Sequence, residues 1–375
     1  MRSLLWILTT QWRGAAFGYA GDVNARTPAL DALARESVRF DAALTPHPFG
    51  PFARAALLTG VPSPENGVEG YFDPLPRNAV TAAHRFGRQG YRTAFIGKWQ
   101  LAARDRTAPP VSEAHARTLV APEDRGGFDF WEGFESGFLL NDPWLHGTDR
   151  PKPVRFSGYQ ADVLAERAAL WMGAQAPGRP WFCLLSVEPP HPPYGAPAAG
   201  IPPVDTQAVV LAPNVPLGGE TEARARRELA GYYAHIEATD RALGRLVQSV
   251  PRDTVIVFTS VHGDLHGAHG HFRKGWPYEE SIRVPLLIRH PDFGAQRVAA
   301  PVSLIDLEAL SVNPLKPPPD FVACSMPSVP PFGHQCDRTW TARRTATHKT
   351  VWSGESEKPW LEFDLASDPF EMRPL

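Results

Sequence analysis

Four side chains that can bind an anion or carry a proton stand in short, distinctive segments. They are Arg54, Lys98, His191 and Lys274. Arg54 lies in the run 46–60, P-H-P-F-G-P-F-A-R-A-A-L-L-T-G, where a proline-rich loop enters a helix that a glycine ends. Such a helix aims a side chain and its own N-terminus into a cleft. Each residue also has a plainer interpretation: a helix-start arginine bound to a backbone carbonyl, two solvated lysines and a loop histidine.

Along the rest of the chain, short apolar runs alternate with helical patterns. The runs cover 4–8, 93–96, 181–187, 254–259 and 284–288, and the helical patterns cover 28–36, 159–171 and 222–247. This alternation predicts an α/β fold with a mostly parallel sheet and helices on both faces. Thr27 and Pro28 are expected to begin the first of these helices as its cap and first residue. The proline-rich stretch 314–331 separates a predicted core domain, 1–313, from a small C-terminal α+β subdomain, 314–375, packed on the core.

The segment around Arg54 resembles the signature of the sulfatases in the alkaline phosphatase superfamily. That signature reads Cys (or Ser)-x-Pro-x-Arg, and its Cys or Ser becomes formylglycine, whose hydrate is the nucleophile. Counting back from Arg54, Gly50 stands at the nucleophile position and Phe52 at the proline position. The closing stretch 361–371, L-E-F-D-L-A-S-D-P-F-E, resembles another sulfatase motif, E-L-Y-D-L-x-x-D-P-x-E. The resemblance covers nearly the whole chain and implies an alkaline-phosphatase-like sheet.

The resemblance also implies a divalent cation, usually calcium, held by Asp residues after two strands. Here Thr10 stands at the first Asp position, beside Gln11, and Val261 stands at the second, beside His262. Because a hard cation needs several oxygen ligands including carboxylates, we expect no metal at these degenerate positions. The formylglycine is also expected to be absent.

The segment 97–101, G-K-W-Q-L, resembles a G-K-W-H-L motif of the family. It retains Lys98 but has Gln100 where a catalytic histidine is usual. A glutamine does not carry a proton through a catalytic cycle near neutral pH. With Gly50 and Gln100 at these places, no catalytic residue is expected to be functional.

In the family, the matching Arg, Lys and His side chains surround an anionic ester. The resemblance therefore assigns Arg54, Lys98, His191 and Lys274 to an anion-binding or substrate-binding pocket. With the metal carboxylates replaced, Asp264 is expected to be the only acid near them. Such a basic cluster is expected either to bind a small anion, such as sulfate, phosphate or an ester, or to lower the pKa of a lysine or of His191.

The loop 262–271 holds four of the 13 histidines. This density could indicate a zinc-type site. The family, however, normally carries a histidine at the position of His269, and the loop is rich in glycine. Ordinary loop histidines are therefore favoured, and metal binding by the loop stays open.

Composition narrows the function classes. The net charge of −2 argues against a nucleic-acid-binding surface, and no apolar run reaches the length of a membrane span. The three cysteines are expected to be reduced thiols rather than a disulfide framework. The chain begins directly with a predicted strand, which indicates either a cytoplasmic protein or a chain shortened at this end, and a cytoplasmic protein is expected.

Three functions compete. The first is a pseudoenzyme that keeps the sulfatase-like fold and binds an anion or a partner, having lost sulfate and phosphate ester hydrolysis. The second is a re-purposed hydrolase or transferase acting on a sulfate, phosphate or phosphonate ester through His47, Thr45 or a histidine-bound metal. The third is a structural subunit in a homo-oligomer or beside an active paralogue.

Overall fold

An eleven-stranded sheet forms the centre of the computed structural model, which describes residues 1–375. Its strands are β1 (Leu4–Thr9), β2 (Val38–Leu44), β3 (Arg92–Lys98), β4 (Phe130–Phe134), β5 (Trp144–Gly147), β6 (Val154–Arg155), β7 (Trp181–Ser186), β8 (Val255–Ser260), β9 (Arg283–Arg289), β10 (Gln296–Val298) and β11 (Val302–Ser303). The strand order is β10-β2-β9-β8-β1-β7-β3-β4-β5-β6, with β11 also paired to β2. The middle strands β8, β1, β7, β3 and β4 run parallel, which confirms the predicted fold class.

One apolar run differs from the prediction in direction. β9 pairs antiparallel with both β8 and β2. The connection from β8 to β9 contains only short helical segments and does not carry the chain back across the sheet. The chain therefore re-enters beside β8 in the opposite sense.

Helices cover both faces of the sheet. They are α1 (Pro28–Arg35), α2 (Gly50–Thr59), α3 (Ala82–Arg88), α4 (Glu113–Ala116), α5 (Gln160–Gly173), α6 (Glu220–Ser249), α7 (Glu279–Ile282) and α8 (Leu307–Val312). Helices α1, α5 and α6 pack on one face, and α2, α3 and α8 pack on the other. Both faces of the middle strands are therefore buried, which explains why these strands read as continuous apolar runs. None of the helices combines the length and apolar character needed to cross a bilayer.

The start of α1 differs in detail from the expected cap. Pro28 is the first residue, but the side chain of Thr27 makes no capping hydrogen bond. The Asp240 carboxylate of α6 instead accepts from the backbone N–H groups of Ala29 and Leu30, at 3.1 and 2.8 Å. A long-range carboxylate thus satisfies the free amides at this helix start, which a local sequence pattern does not reveal.

A second, four-stranded antiparallel sheet follows α8. Its strands are β12 (Val322–Met326), β13 (Trp340–Arg344), β14 (His348–Ser353) and β15 (Leu361–Asp364), in that order. The buried Lys349 joins it to the core by donating to Pro277 O at 2.6 Å. All three cysteines are buried and free.

The parallel strands bring distant residues to one edge of the sheet. Thr10, Lys98 and Val261 follow or end β1, β3 and β8, and the carboxyl ends of neighbouring parallel strands lie side by side. Glu188 follows β7, which lies between β1 and β3. This edge is where the site forms.

Candidate functional site

A cavity of about 600 Å³ opens at this edge of the sheet. Its lining includes the following residues discussed from the sequence: Thr10, Gly50, Lys98, Gln100, His191, His262 and Lys274. Gln11, Arg54 and Val261 are buried next to them. The structure therefore brings together residues that are up to 264 positions apart, from Thr10 to Lys274.

Lys98 does not stand free in the cavity wall. Its ammonium donates to Glu188 Oε1, and both side chains are almost fully buried. Glu188 also accepts from Gln160 Nε2 at 3.2 Å. The expectation that Asp264 is the only nearby acid was therefore wrong: Glu188, three residues before His191, follows the strand next to β3 and reaches Lys98 there.

Lys274 is held by neutral partners. Its ammonium donates to Gln11 Oε1 at 2.7 Å and lies 3.2 Å from His191 Nε2. The amide nitrogen of Gln11 in turn donates to Asp264. No carboxylate contacts Lys274 directly, so this lysine is the least neutralised cation of the wall.

Burial lowers the pKa values of the cavity bases. The pKa of Lys274 falls to about 7 and that of Lys98 to about 8. Burial also holds the pKa values of His191 and His262 well below the usual range, and the charge of Lys274 adds to this effect. When no anion is bound, the lysines of the cluster therefore lose part of their positive charge near neutral pH, as expected for crowded, desolvated cations.

Arg54 lies one layer behind the cavity wall. Its guanidinium donates to Ser186 Oγ at 2.7 Å, to Thr10 Oγ1 at 2.9 Å and to the Lys98 carbonyl at 3.1 Å. The side chain is buried and is not part of the cavity lining. Arg54 therefore fixes the ends of β1, β3 and β7, and adds positive potential from behind.

Gly50 begins α2, whose N-terminus has no side-chain cap. A Cβ on Gly50 would overlap Gln100 Oε1, and this oxygen is buried with no hydrogen-bond partner. The carboxamide of Gln100 thus occupies the space that a nucleophilic side chain at position 50 would need. Gln100 and Gln11 both have left-handed backbone angles, φ 58° and 67°, which non-glycine residues adopt only when their surroundings hold them.

The residues at the expected metal positions do not fit a hard dication. Thr10 Oγ1 accepts from Arg54 and donates to Val187 O at 3.3 Å, while Gln11 Oε1 accepts from Lys274. Val261 offers no ligand atom. His262 Nδ1 donates to Gly263 O at 2.9 Å, which leaves one ring nitrogen. One nitrogen and no free carboxylate do not make a calcium-type site.

Aromatic side chains complete the cavity, and sequence reasoning missed them. Phe138 lies between two site residues: the Lys98 ammonium is 4.2 Å from its ring centre, and the His191 ring stacks on it at 4.5 Å. Phe49, Tyr71 and Phe332 also line the cavity. Phe138 and Phe332 lie in loops without periodic pattern, so no sequence signal pointed to them.

The alternative nucleophiles lie elsewhere. His47 is buried, with Nδ1 3.1 Å from Ser325 O and Nε2 accepting from Ser63 N at 2.9 Å. Thr45 Oγ1 donates to His47 O. Neither residue lines the cavity that holds Lys98 and Lys274.

The four histidines of the loop 262–271 lie in different environments. His262 lines the cavity, His266 is buried against Tyr232, and His271 stacks on Trp276. His269 lies with Glu280 and Glu371 in a group whose ligand atoms are all within 4.8 Å of one another. The four histidines therefore do not converge on one metal site.

Comparison with known proteins gives a consistent family. The family model described as Sulfatase matches residues 2–309. An ulvan-active sulfatase of Formosa agariphila is 34% identical, over 100% of this chain and 76% of that protein. A choline-sulfatase of Rhizobium meliloti is 27% identical, over 100% of this chain and 82% of that protein.

Solved structures agree with this match. A putative sulfatase from Bacteroides fragilis superposes with a TM-score of 0.87 at 25% identity, covering 100% of this chain and 91% of that one. The phosphonate monoester hydrolase of Agrobacterium radiobacter shares the fold at 22% identity, with a TM-score of 0.73 and coverage of 100% and 91%. The motifs, the sheet and these matches agree, and the chain belongs to the sulfatase family.

Proposed function

We propose that this protein binds a sulfate ester or a related oxyanion in the cavity without hydrolysing it by formylglycine chemistry. One observation carries the proposal: Lys98 and Lys274 line one cavity, and Gly50 in the same lining has no nucleophilic side chain. The sulfated compounds in the names of the two relatives support a sulfate ester as the ligand class.

The charges favour an anion. The cavity lining holds Lys98, Arg227, Arg273 and Lys274, with Arg54 behind it, against the carboxylates of Glu228 in the lining and of Glu188 and Asp264 behind it. The uncapped N-terminus of α2 at Gly50 adds a positive helix dipole at the same wall. An entering oxyanion would therefore meet excess positive potential, and its charge would favour the protonated state of Lys274.

The same wall supports the proposal that formylglycine-type hydrolysis is absent. A sulfatase of the formylglycine type needs a covalent nucleophile and a cation, each of which contributes several kcal/mol to catalysis. Here Gly50 has no reactive side chain, and the positions of Thr10 and Val261 do not supply metal ligands. We therefore propose that neither calcium nor formylglycine is a cofactor.

Sulfate binding and its dependence on Lys274 test the proposal. An anion at about ten times its Kd stabilises the folded state by about 1.4 kcal/mol, which corresponds to a rise of roughly 2 °C in Tm for a chain of this size. We expect sulfate or an aryl sulfate to raise the Tm of the parent but not of Lys274→Met. Lys152→Met, at an exposed lysine, is the matched control and should respond like the parent.

Activity and metal content are measured on the same preparation. We expect no stoichiometric calcium by mass spectrometry, no effect of a chelator on Tm, and no turnover of aryl sulfates, phosphate monoesters or phosphonate esters above background. Turnover lost in His191→Ala or His47→Ala would support the re-purposed enzyme instead. Equal stabilisation of parent and Lys274→Met by sulfate would contradict an anion site in this cavity.

A further inference from the structure

A smaller chamber of about 200 Å³ adjoins the main cavity. The two share Tyr71, Pro110, Phe138 and Phe332 in their linings. The side chains common to the two spaces are therefore aromatic rings and a proline. A ligand that reached both spaces would lie along these side chains.

Arg104 is the central polar residue of the chamber. Its side chain is only 3% exposed, and its guanidinium stacks over the ring of Tyr71 at 4.7 Å and donates to Tyr71 O. Its Nε and Nη1 atoms have no hydrogen-bond partner. A buried guanidinium with unused donors is unfavourable unless a ligand supplies acceptors.

The nearest carboxylate does not satisfy Arg104. Glu135 Oε1 lies 3.8 Å from Arg104 Nε, which is beyond hydrogen-bond distance. Burial raises the pKa of Glu135 to about 7, so this group holds less than a full negative charge near neutral pH. The guanidinium therefore keeps both charge and donors for another anion.

Two further basic groups surround the chamber. His115 is 4% exposed, and its Nδ1 is buried without a partner, while its Nε2 lies 3.3 Å from Ala108 O. Arg106 lies at the rim with 71% of its side chain exposed and its guanidinium 3.8 Å from Asp73. The side chains of two arginines and one histidine thus line one small space.

We propose that this chamber is a second anion subsite, in which Arg104 binds a carboxylate or a second sulfate of the ligand whose first sulfate lies at Lys98 and Lys274. The ligand class is therefore a molecule with two anionic groups on neighbouring units, and Tyr71, Phe138 and Phe332 pack against the carbon skeleton between them. This assignment rests on the proposed function. A guanidinium forms two parallel hydrogen bonds with a carboxylate, and it also binds sulfate oxygens.

Matched disaccharide probes test the second subsite in the intact protein. The first carries one sulfate and a carboxylate on the neighbouring sugar, the second has that carboxylate reduced to a hydroxymethyl group, and the third carries a second sulfate instead. By calorimetry, we expect at least one doubly anionic probe to bind about tenfold or more tightly than the reduced probe. The stronger of the two identifies the group that the chamber takes.

Substitutions in the chamber test whether it causes this difference in affinity between the probes. Arg104→Gln should abolish the preference for the doubly anionic probe and leave the affinity for the reduced probe within about twofold of the parent. Arg92→Gln is the control, because Arg92 is exposed at the opposite end of the strand that carries Lys98. If Arg104→Gln does not fold, as judged by its melting transition, Arg106→Gln and His115→Phe replace it and should each reduce the preference.

The outcomes separate the two proposals. Equal binding of all three probes by the parent overturns the second subsite and leaves the proposed function standing. A preference that persists in Arg104→Gln, and in the substitute variants, places the second anion elsewhere and also overturns it. If no probe binds at all, both proposals fail.

Discussion

At the scale of single residues, the two lysines of the cavity differ in the charge of their hydrogen-bond partners. Lys98 pairs with the buried carboxylate of Glu188, whereas Lys274 contacts only Gln11 and His191. Removing one partner of a buried ion pair leaves an uncompensated charge. Removing a lysine that contacts only neutral partners leaves no uncompensated charge.

The two lysines should therefore respond differently to the same substitution. We expect Lys98→Met to lower the free energy of unfolding by about 3–5 kcal/mol and Lys274→Met by less than about 2 kcal/mol. Urea unfolding at pH 7 measures both. Adding Glu188→Gln to Lys98→Met should recover most of the loss, and equal losses in the two single variants would contradict the assigned pairing.

Sulfate binding should weaken as pH rises. Because burial lowers the pKa of Lys274 to about 7, the ammonium is already protonated at pH 6, whereas at pH 9 binding must also take up a proton. Affinity in the parent should then fall by up to about tenfold per pH unit above 7.

Calorimetry between pH 6 and 9 checks this dependence. Lys274→Met removes the group that titrates near pH 7 and should show only weak binding, with the remaining decrease shifted towards pH 8, where Lys98 titrates. An affinity of the parent that is the same at pH 6 and pH 9 would contradict a protonated Lys274 as the anion's partner.

At the scale of elements, the start of α2 is fitted to the loop after β3. Gly50 leaves room for the Gln100 carboxamide, so the two positions should be coupled. We expect Gly50→Ala to destabilise the parent, although alanine favours a helix interior over glycine by about 1 kcal/mol. In the Gln100→Ala background the same change should be neutral or stabilising. A double-mutant cycle by chemical denaturation gives the coupling, expected at roughly 1–2 kcal/mol, and additive effects would show that the two side chains do not compete for space.

Some elements could be predicted from the sequence, and others could not. The run 4–8 and the helix over 222–247 were located because burial and helical periodicity leave direct patterns, and the structure extends them to Leu4–Thr9 and Glu220–Ser249. The direction of β9 was missed because an apolar run reads the same in either direction.

The candidate site could likewise be predicted only in part. The resemblance to sulfatase motifs located Lys98, His191 and Lys274, and all three line the cavity. They did not reveal that Glu188 neutralises Lys98, that Arg54 lies behind the wall, or that Phe138 lies between Lys98 and His191. These contacts depend on strand order and loop paths, which local sequence does not encode.

At the scale of the whole molecule, buried charges join the C-terminal sheet to the core. Lys349 donates to Pro277 O and contacts the carboxylates of Glu279 and Glu371. Burial alone would raise the pKa of Glu279, but Lys349 and two arginines lower it to about 2. The C-terminal segment is thus joined to the loop that also carries Lys274, so the two sheets should unfold together.

Calorimetry tests this cooperativity. The parent should melt in one transition, and Lys349→Met should lose about 3–5 kcal/mol while still melting in one transition. Lys358→Met, at an exposed lysine of the same region, should change stability by less than about 0.5 kcal/mol. A separate low-temperature transition in the parent would instead indicate that residues 314–375 unfold as an independent domain.

The close contact between Gly50 and the Gln100 side chain also affects which single substitutions can be made at these two positions. A serine or cysteine introduced at position 50 meets the carboxamide of Gln100, whereas shortening Gln100 first leaves a void beside α2. The packing around Gly50 therefore makes the order of substitution matter: a smaller residue at position 100 makes room for a serine or cysteine at position 50, whereas the reverse order requires the Gln100 carboxamide to move.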